Sequence, residues 1–308
     1  MQGLIPLLES IAYRGEIKTA EEMRRHTTFR IGGAAEAFLL PRDRAEIILL
    51  VGGLRQAGLP FLILGNGSNI LSSDRGLKAA VIKTRPALSR MAREGDLLKA
   101  EAGCRLSDLC RFARDQGLGG LEFLSGIPGS VGGAVVMNAG WEGRGIGETI
   151  AAVTFLDSGG RLRRWSAPRC AFGYRRSRFR RGDDLVLEAE FRLQPADPVQ
   201  IATEMERVLK ERKQKFPLRL PSAGCVFKNP RGGSAGNLIE LAGLKGRRIG
   251  DAEISPRHAN FIVNQGRAAS RDVLALIELV RDEVKTKFGI RLELEIEIWP
   301  KAASFASR

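Results

Sequence analysis

Apolar residues recur at the three- and four-residue spacing of a helix in several segments of the chain. Asp43 precedes the first of these segments, Gly289 follows the last, and Ser270 is the expected cap of the last. Asp197-Pro198 combines a capping residue with a proline at the first helical position. The sequence therefore predicts helices over residues 44–57, 107–116, 198 onward and 267–288.

Short apolar runs predict strands over residues 61–64, 80–83 and 97–101. Apolar and charged residues then alternate over residues 290–298, which predicts a longer strand with Glu293, Glu295 and Glu297 on its charged face. Such a face is ordinarily exposed to solvent. Strands and helices that alternate along the chain favour an α/β or α+β fold. A shift in composition near Pro195 predicts a domain boundary at residues 193–197.

The chain is strongly basic, with a formal net charge of +14 over 308 residues. That charge suits nucleic acid, an anionic membrane surface or a small polyanionic ligand. Nine arginines and no acidic residue lie between Arg161 and Arg181. This segment is either a solvated surface or a binding site. Nucleic-acid binding is the weaker interpretation, because no groove-reading or base-stacking motif surrounds the arginines.

Neither a membrane span nor a secretion signal is expected. The aliphatic run at residues 47–51 is too short to cross a bilayer, and residues 1–13 lack a basic start followed by an apolar stretch. Four cysteines, Cys104, Cys110, Cys170 and Cys225, have no Cys-x-x-Cys spacing and no nearby pair of histidines. We therefore expect a reducing, cytoplasmic setting without disulfides or a metal site.

Two glycine-rich loops are candidates for ligand binding. Residues 64–71 offer small residues and backbone N–H groups that can surround a pyrophosphate, although an ordinary turn would look the same. Ile70 occupies the place of the third glycine of the dinucleotide fingerprint, which disfavours a Rossmann site. Residues 126–140 are also glycine-rich and almost uncharged. They can approach a flat ligand closely, or form a crowded buried crossover.

Two further segments carry candidate chemistry. Arg175 lies in a basic run, and arginine suits a carboxylate because it donates two parallel hydrogen bonds. Cys225 follows a glycine and precedes an apolar pair, which fits a thiol directed into a cleft. A lone cysteine is, however, more often an inert core residue.

Together these segments resemble the MurB reductases, in the order of that family and over about residues 20–298. The matching motifs are His26-Thr-Thr-Phe-Arg-Ile-Gly-Gly33, Leu64-Gly-Asn-Gly-Ser-Asn69, Gly126-Ile-Pro-Gly-Ser-Val-Gly-Gly133, Met137-Asn-Ala-Gly140, Tyr174-Arg-x-Ser177, Ala223-Gly-Cys-Val-Phe-Lys-Asn-Pro230 and His258-Ala-Asn-Phe-Ile-Val-Asn264. The glycine-rich loops alone would indicate only the wider group of flavin oxidases.

The resemblance implies an α+β protein, in which an FAD-binding domain of the vanillyl-alcohol-oxidase (PCMH) type precedes a smaller α+β substrate domain. The implied organisation is an N-terminal extension over residues 1–20, the FAD domain over 21–195, the substrate domain over 196–300 and a tail over 301–308. The chain resembles the shorter class of these reductases, which lacks a tyrosine-bearing lid.

The resemblance also implies roles for individual residues. Arg175, Cys225 and Glu295 match the catalytic positions, and Tyr174, Lys215 and Asn229 match substrate-binding positions. Non-covalent FAD would be held by the two glycine-rich loops, through Gly65, Asn66, Gly67, Ser68, Asn69, Gly126, Ile127, Pro128, Gly129, Ser130, Gly132, Gly133, Asn138, Ala139 and Gly140.

The implied reaction is the reduction of UDP-N-acetylglucosamine enolpyruvate to UDP-N-acetylmuramate, with NADPH as the hydride donor, in peptidoglycan precursor synthesis. Arg175 and Glu295 would stabilise the enolate-like state, and an acid would protonate the adjacent carbon. Much of the family has serine as this acid, and this chain has Cys225. Trp141-Glu142 also departs from the small-aromatic pattern expected after the second loop.

Two other interpretations remain open: a different FAD-dependent oxidase, and a basic nucleic-acid-binding module. Neither His26 nor Cys104, Cys110 or Cys170 lies in the glycine-rich loops, which favours non-covalent flavin over the covalent flavin of many oxidases. The expected partner is a small UDP-sugar enolpyruvyl ether. We expect a cytoplasmic monomer that neither binds nucleic acid nor inserts into a membrane.

Overall fold

The computed structural model describes residues 3–180 and 183–300. The described residues form seven α-helices, α1–α7: Leu4–Ser10, Arg44–Gln56, Leu106–Asp115, Val131–Met137, Pro198–Lys215, Ala235–Leu241 and Ser270–Phe288. They also form nineteen strands, β1–β19: Glu16–Glu22, Ala34–Leu40, Phe61–Leu64, Ile70–Ser72, Leu77–Lys83, Met91–Glu94, Leu97–Glu101, Leu118–Gly119, Gly140–Trp141, Arg144–Gly145, Ile150–Leu156, Leu162–Ser166, Leu185–Arg192, Gln194–Pro195, Ser222–Cys225, Arg248–Ile249, Ala252–Ile254, Phe261–Asn264 and Glu297–Trp299. No described helix is both long and apolar enough to span a bilayer.

The chain divides into two compact units that are discontinuous in sequence. The first comprises Met1–Lys18, Ala37–Asn66 and Ala79–Arg212, and the second Thr19–Glu36, Gly67–Lys78 and Lys213–Arg308. This division differs from the contiguous boundary expected at residues 193–197. The physical reason is that Phe29, Ile31 and Leu71 belong to the core of the second unit although they lie early in the chain. The expected tail, residues 301–308, lies outside the described residues.

The first unit contains a five-stranded antiparallel sheet in the order β12-β11-β13-β7-β6. Its core includes the fully buried side chains of Phe155 and Phe191. Helix α2 contributes four buried residues to the same core. Asp43 caps that helix as predicted, since its carboxylate accepts a hydrogen bond from the Glu46 amide at 2.9 Å. The predicted helices at residues 44–57 and 107–116 and the strands at 61–64 and 97–101 are confirmed within one residue.

A second sheet has the strand order β1-β2-β5-β3. Strands β3 and β5 are parallel, with Leu64 paired to Lys83. Because β3 ends at Leu64, the first glycine-rich turn begins beside the carboxyl end of β5.

The second unit has a four-stranded antiparallel sheet in the order β15-β18-β17-β16 and a short parallel pair, β4 and β19. Helix α7 packs on this sheet through a stripe that includes Val273, Ile277 and Val280. The predicted cap of α7 is wrong, because Ala269 is the capping position. The Ser270 hydroxyl instead donates a hydrogen bond to the Asp74 carboxylate at 2.7 Å.

The long strand predicted over residues 290–298 is also wrong, because only Glu297–Trp299 is a strand. The backbone changes partners within this segment. The Glu295 amide donates to the Val226 carbonyl, and the Glu297 amide donates to the Asn69 carbonyl, both at 2.8 Å. Alternation correctly indicated that Leu292 and Ile296 are buried, but it cannot report a change of hydrogen-bonding partner.

Candidate active site

The first glycine-rich turn requires glycine at two positions. A Cβ atom on Gly65 would lie 2.2 Å from Ser130 Oγ, and one on Gly67 would lie 2.1 Å from the His26 carbonyl oxygen. Gly67 also has φ = +66°, a conformation that side chains with a Cβ rarely adopt. Glycine at these two positions therefore lets the turn pack closely against Ser130 and His26.

The second glycine-rich loop passes into the short helix α4. Ser130 caps this helix by accepting a hydrogen bond from the Gly133 amide at 3.3 Å. A Cβ atom on Gly132 would lie 2.9 Å from the Ala102 Cβ, so this glycine serves close packing. Pro128 and Gly133, in contrast, are exposed. The loop thus combines a buried crossover with an exposed face, and the two interpretations of it are compatible.

Asn138 connects the second loop to the Tyr174 segment. It ends α4 with φ = +45°, and its side-chain amide donates to the Gly173 carbonyl at 2.9 Å. The Ser177 hydroxyl donates to the Val136 carbonyl at 2.7 Å. Two hydrogen bonds therefore hold the Tyr174-Arg-x-Ser177 motif against the end of α4.

Arg175 has an unusual backbone conformation, with φ = +49°. A tight turn holds it, because Gly173 and Arg176 exchange backbone hydrogen bonds of 2.9 and 3.0 Å. The Arg180 guanidinium also donates to the Arg175 carbonyl at 2.8 Å. Non-glycine residues in the left-handed region are concentrated at functional sites. The Arg175 guanidinium is partly exposed, 5.4 Å from the centre of the exposed Tyr174 ring.

Cys225 and Glu295 lie on neighbouring backbone segments of the second unit. Val226, next to Cys225, accepts the Glu295 amide at 2.8 Å. The side-chain amide of Asn69, the last residue of the first glycine-rich turn, donates to the Glu295 carbonyl at 3.2 Å. Two predicted catalytic residues and one predicted cofactor residue are therefore adjoining in this unit.

The three glutamates of residues 290–298 have different environments. Glu295 is only 9% exposed, whereas the Glu293 side chain is 75% exposed and forms an ion pair with Lys228 at 3.0 Å. Glu297 is intermediate. Glutamate side chains are seldom buried unless they are paired, and Glu101 and Glu190 are the other buried glutamates among the described residues. The structure thus distinguishes Glu295 from its neighbours, which periodicity could not do.

Cys225 also differs from the other three cysteines. Cys104, Cys110 and Cys170 are buried, and burial is the main cause that raises their thiol pKa values to about 11, 12 and 11. Cys225 is partly exposed. It is therefore the one cysteine of the four that is not buried.

The three predicted substrate-binding residues are all exposed, and two of them, Lys215 and Asn229, belong to the second unit. Lys215 is the exposed last residue of α5, and Tyr174 is 58% exposed. The Asn229 side-chain oxygen accepts a hydrogen bond from the Ala235 amide at 3.0 Å. Phe216, which follows Lys215, packs against the rings of His258 and Phe261, with both centroid distances 5.1 Å. Burial lowers the pKa of His258.

Trp141-Glu142, the departure noted in the second loop, forms a small hairpin. Strands β9 and β10 pair Trp141 with Arg144. The Arg212 guanidinium from α5 lies 4.9 Å from the Trp141 ring. Arg212 is itself buried. The hairpin after the second loop therefore packs against α5 through this cation–π contact.

Three of the nine arginines in the arginine-rich run pair with acidic residues that lie outside the run. Arg164 forms two hydrogen bonds of 2.7 Å with Glu190, Arg163 pairs with Asp157 at 2.8 Å, and Arg178 pairs with Asp184 at 3.2 Å. Asp157 and Asp184 lie six residues from their arginines, whereas Glu190 lies 26 residues from Arg164. Arg181 lies outside the described residues. The pairing supports the solvated-surface interpretation of the run.

Asn260 is a positioning residue that was not among the candidates from the sequence. Its side chain accepts from the Phe227 amide at 2.9 Å and donates to the Phe227 carbonyl at 2.8 Å. Its own carbonyl accepts the Val226 amide at 2.8 Å. The asparagine thus holds the segment immediately after Cys225. Its place in the His258-Ala-Asn motif was the available signal.

We expect Asn260→Ala to destabilise the second unit by about 2–4 kcal/mol, because two buried backbone groups lose their partners. Chemical unfolding of the intact chain measures this loss. Asn237→Ala removes an exposed amide of the same size and is the control, with an expected change of about 0.5 kcal/mol or less. Equal midpoints for the two variants would contradict the role assigned to Asn260.

Two family models match the chain. The model for the C-terminal domain of UDP-N-acetylenolpyruvoylglucosamine reductase matches residues 216–299, and a model for an FAD binding domain matches residues 35–166. The segment with Cys225 and Glu295 therefore lies in the first match, and the glycine-rich loops lie in the second.

Proteins similar over almost the full chain bear the same name. UDP-N-acetylenolpyruvoylglucosamine reductase 2 of Symbiobacterium thermophilum is 43% identical over 285 residues, 92% of this chain and 92% of its own. The reductase of Heliobacterium modesticaldum is 44% identical over 287 residues, 93% of this chain and 91% of its own. The crystal structure of UDP-N-acetylenolpyruvylglucosamine reductase (MurB) from Thermus caldophilus matches with a TM-score of 0.79 and 36% identity, over 94% of this chain and all of that chain.

Proposed function

The chain belongs to the UDP-N-acetylenolpyruvoylglucosamine reductase family, and we propose that Arg175, Cys225 and Glu295 are its catalytic residues. The protein is an FAD-dependent NADPH oxidoreductase of α+β fold, with an FAD-binding domain of the PCMH type. Its reaction reduces UDP-N-acetylglucosamine enolpyruvate to UDP-N-acetylmuramate, a step of peptidoglycan precursor synthesis.

The glycine-rich loops fit an FAD cofactor. Gly65 and Gly67 leave no room for a Cβ atom, and their bare backbone can bring N–H groups close to a diphosphate. Within the almost uncharged residues 126–140, Pro128 and Gly133 are exposed and can contact a flat ring system. Two observations support a non-covalent cofactor. The side chains of Cys104, Cys110 and Cys170 are buried, and the His26 ring contacts the Glu21 carboxylate at 2.8 Å. Bound FAD would supply hydride transfer between NADPH and the enolpyruvyl substrate.

Arg175 is proposed to bind the substrate carboxylate. Its guanidinium can donate two parallel hydrogen bonds to a carboxylate. Negative charge grows on that carboxylate when a hydride adds to the neighbouring alkene, so the arginine stabilises the transition state more than the ground state. The restrained turn with φ = +49° fixes the backbone from which the side chain extends.

Cys225 is proposed to protonate the carbon next to the carboxylate, and its Sγ atom carries the proton. The preceding Gly224 has φ = +80°, and the following Val226 is held by backbone hydrogen bonds to Asn260 and Glu295. The thiol is therefore on a fixed backbone but remains partly exposed. A positioned acid of this kind typically contributes about 10²–10⁴-fold in rate.

Glu295 is proposed to act beside Cys225 on the same developing charge. A protonated carboxyl group donates a hydrogen bond, and such a donor stabilises negative charge that develops in a transition state. The observation that carries this proposal is the contrast between the buried Glu295 and the exposed Glu293.

We expect Glu295→Gln to slow reduction of the enolpyruvyl substrate by about 10²–10³-fold, which is typical for the loss of one transition-state contact. Glu293→Gln and Glu297→Gln are matched controls with the same chemical change, and we expect only small effects. Single-turnover rates of the reduced enzymes make the comparison. Equal, small effects in all three variants would remove Glu295 from the catalytic group.

Lys215, Asn229 and Tyr174 are proposed to bind the UDP part of the substrate. The exposed Lys215 ammonium can neutralise diphosphate charge, and the exposed Asn229 and Tyr174 side chains offer an amide and a phenol. We further propose that the enzyme works as a cytoplasmic monomer that does not bind nucleic acid. The ion pairs of Arg163, Arg164 and Arg178 support the last point.

A further inference from the structure

Three cationic side chains lie near the carboxyl end of β5. Lys83 is its last residue, Arg85 follows two residues later, and Arg105 precedes α3. Lys83 is half-buried. Within the part of the chain that the structure describes, neither the Lys83 ammonium nor the Arg105 guanidinium has a hydrogen bond or an ion pair. Arg85 contacts Asp108 at 3.4 Å, and that carboxylate also pairs with Arg111 at 2.7 Å.

The electrostatic environment of Lys83 is unfavourable for its charge. Burial, and then the nearby charges of Arg105 and Arg85, lower the pKa of Lys83 to about 8. A half-buried cation without a counterion is costly. An anion bound at this position would relieve both the burial penalty and the repulsion.

The cations adjoin both glycine-rich loops through the backbone. Lys83 pairs with Leu64 across the parallel strands, and Gly65 comes next in the chain. Arg105 forms an isolated antiparallel bridge with Ser130, whose Oγ would clash with any Cβ atom on Gly65. The unneutralised charges are therefore attached to the same two turns that offer a bare backbone.

We propose that Lys83, assisted by Arg105, binds the diphosphate of FAD as a specificity-determining cationic pair. This inference rests on the FAD-dependent function proposed above. The substrate also carries a diphosphate, but Lys83 and Arg105 both lie within residues 35–166, which the FAD binding domain model matches. Within the arginine-rich run, Arg163, Arg164 and Arg178 differ from Lys83 and Arg105 because they already have carboxylate partners.

The affinity of the flavin-free protein for FAD tests the proposal. A hydrogen bond to a charged group contributes enough that Lys83→Gln should weaken FAD binding by about 10- to 100-fold. Lys83→Arg keeps the charge and should retain most of the affinity. Lys78→Gln is the matched control, since Lys78 is an exposed lysine on the same strand. Quenching of FAD fluorescence on binding gives each dissociation constant.

Thermal unfolding of the flavin-free protein provides a second readout that is independent of activity. Because the lysine charge is unfavourable in the folded state at pH 7, its removal in Lys83→Gln should raise the midpoint by about 2–4 °C. The variant is thus expected to be more stable without FAD and weaker in FAD binding, which a simple folding defect cannot produce.

Three results would overturn the proposal. The first is an FAD dissociation constant for Lys83→Gln equal to that of Lys78→Gln. The second is a flavin-free Lys83→Gln that is less stable than wild type. The third is a loss of affinity for UDP, measured on the FAD-loaded variant, while FAD binding is unchanged, which would assign the cations to the substrate. Wild-type protein that binds no FAD would instead contradict the proposed function itself.

Discussion

Cys225→Ala is expected to reduce the enolpyruvyl substrate about 10²–10⁴-fold more slowly than wild type, because it lacks the proposed proton donor. Reduction of bound FAD by NADPH should be nearly unchanged, since that half-reaction needs no proton from the thiol. Stopped-flow absorbance at the flavin band follows the two half-reactions separately.

Cys225→Ser and alkylation provide the controls for this variant. A hydroxyl can still donate a proton, so we expect Cys225→Ser to remain active. Because a free thiol has a pKa of about 8.5 and a proton donor must be protonated, wild-type substrate reduction should fall as the pH rises through the thiol's pKa. The serine variant should lose that alkaline fall. Thiol-alkylating reagents should inactivate the wild type and spare Cys225→Ser, because the other cysteines are buried.

A nearly wild-type single-turnover rate in Cys225→Ala would contradict this assignment. Cys225 would then be a small packing residue, and the proton would come from another group.

Arg175→Ala is expected to bind FAD and accept a hydride from NADPH, but to lose reduction of the enolpyruvyl substrate. The loss should reach about 10²–10³-fold, as for removal of one preorganised donor from a transition state. Arg175→Lys should recover only part of the rate, because an ammonium group cannot form the bidentate contact. Rapid mixing of pre-reduced enzyme with substrate measures the affected step.

The neighbouring Arg176 supplies a control for Arg175. Its side chain is exposed, and Arg176→Ala removes the same charge from the same turn. We expect substrate reduction by this variant to stay within a few-fold of wild type. If Arg175→Ala lost flavin reduction by NADPH and kept substrate reduction, the assigned role would be incorrect.

Local sequence signals were sufficient for the regular elements with clear ends. Asp43 and the apolar spacing that follows it predicted α2, and its cap is present at 2.9 Å. Pro198 correctly marked the start of α5. In both cases the determining interaction lies within one helical turn, so the sequence window contains it.

Long-range partners account for what the sequence did not predict. The segment at residues 290–298 has the alternation of a strand, but its backbone passes from Val226 to Asn69 as partner. Ser270 has the character of a cap, yet it binds Asp74, which lies 196 positions away. The discontinuous units arise in the same way, since Phe29 and Leu71 join a core formed mostly by residues after 213.

For the candidate site, the motifs supplied the residues and the structure supplied their environments. Periodicity placed Glu293, Glu295 and Glu297 on one face, whereas burial separates Glu295 from Glu293. The role of Asn260 depends on its hydrogen bonds with Phe227, and the proposed role of Lys83 depends on the nearby charge of Arg105. Both partners are more than 20 positions distant, so no local pattern could indicate them.

Anaerobic stopped-flow absorbance of the purified protein tests the central claim most directly. We expect NADPH to bleach the flavin absorbance of the wild type. UDP-N-acetylglucosamine enolpyruvate should then restore the absorbance, with UDP-N-acetylmuramate as the product. A protein without flavin absorbance, or a reduced flavin that the enolpyruvyl substrate reoxidises no faster than buffer does, would contradict it.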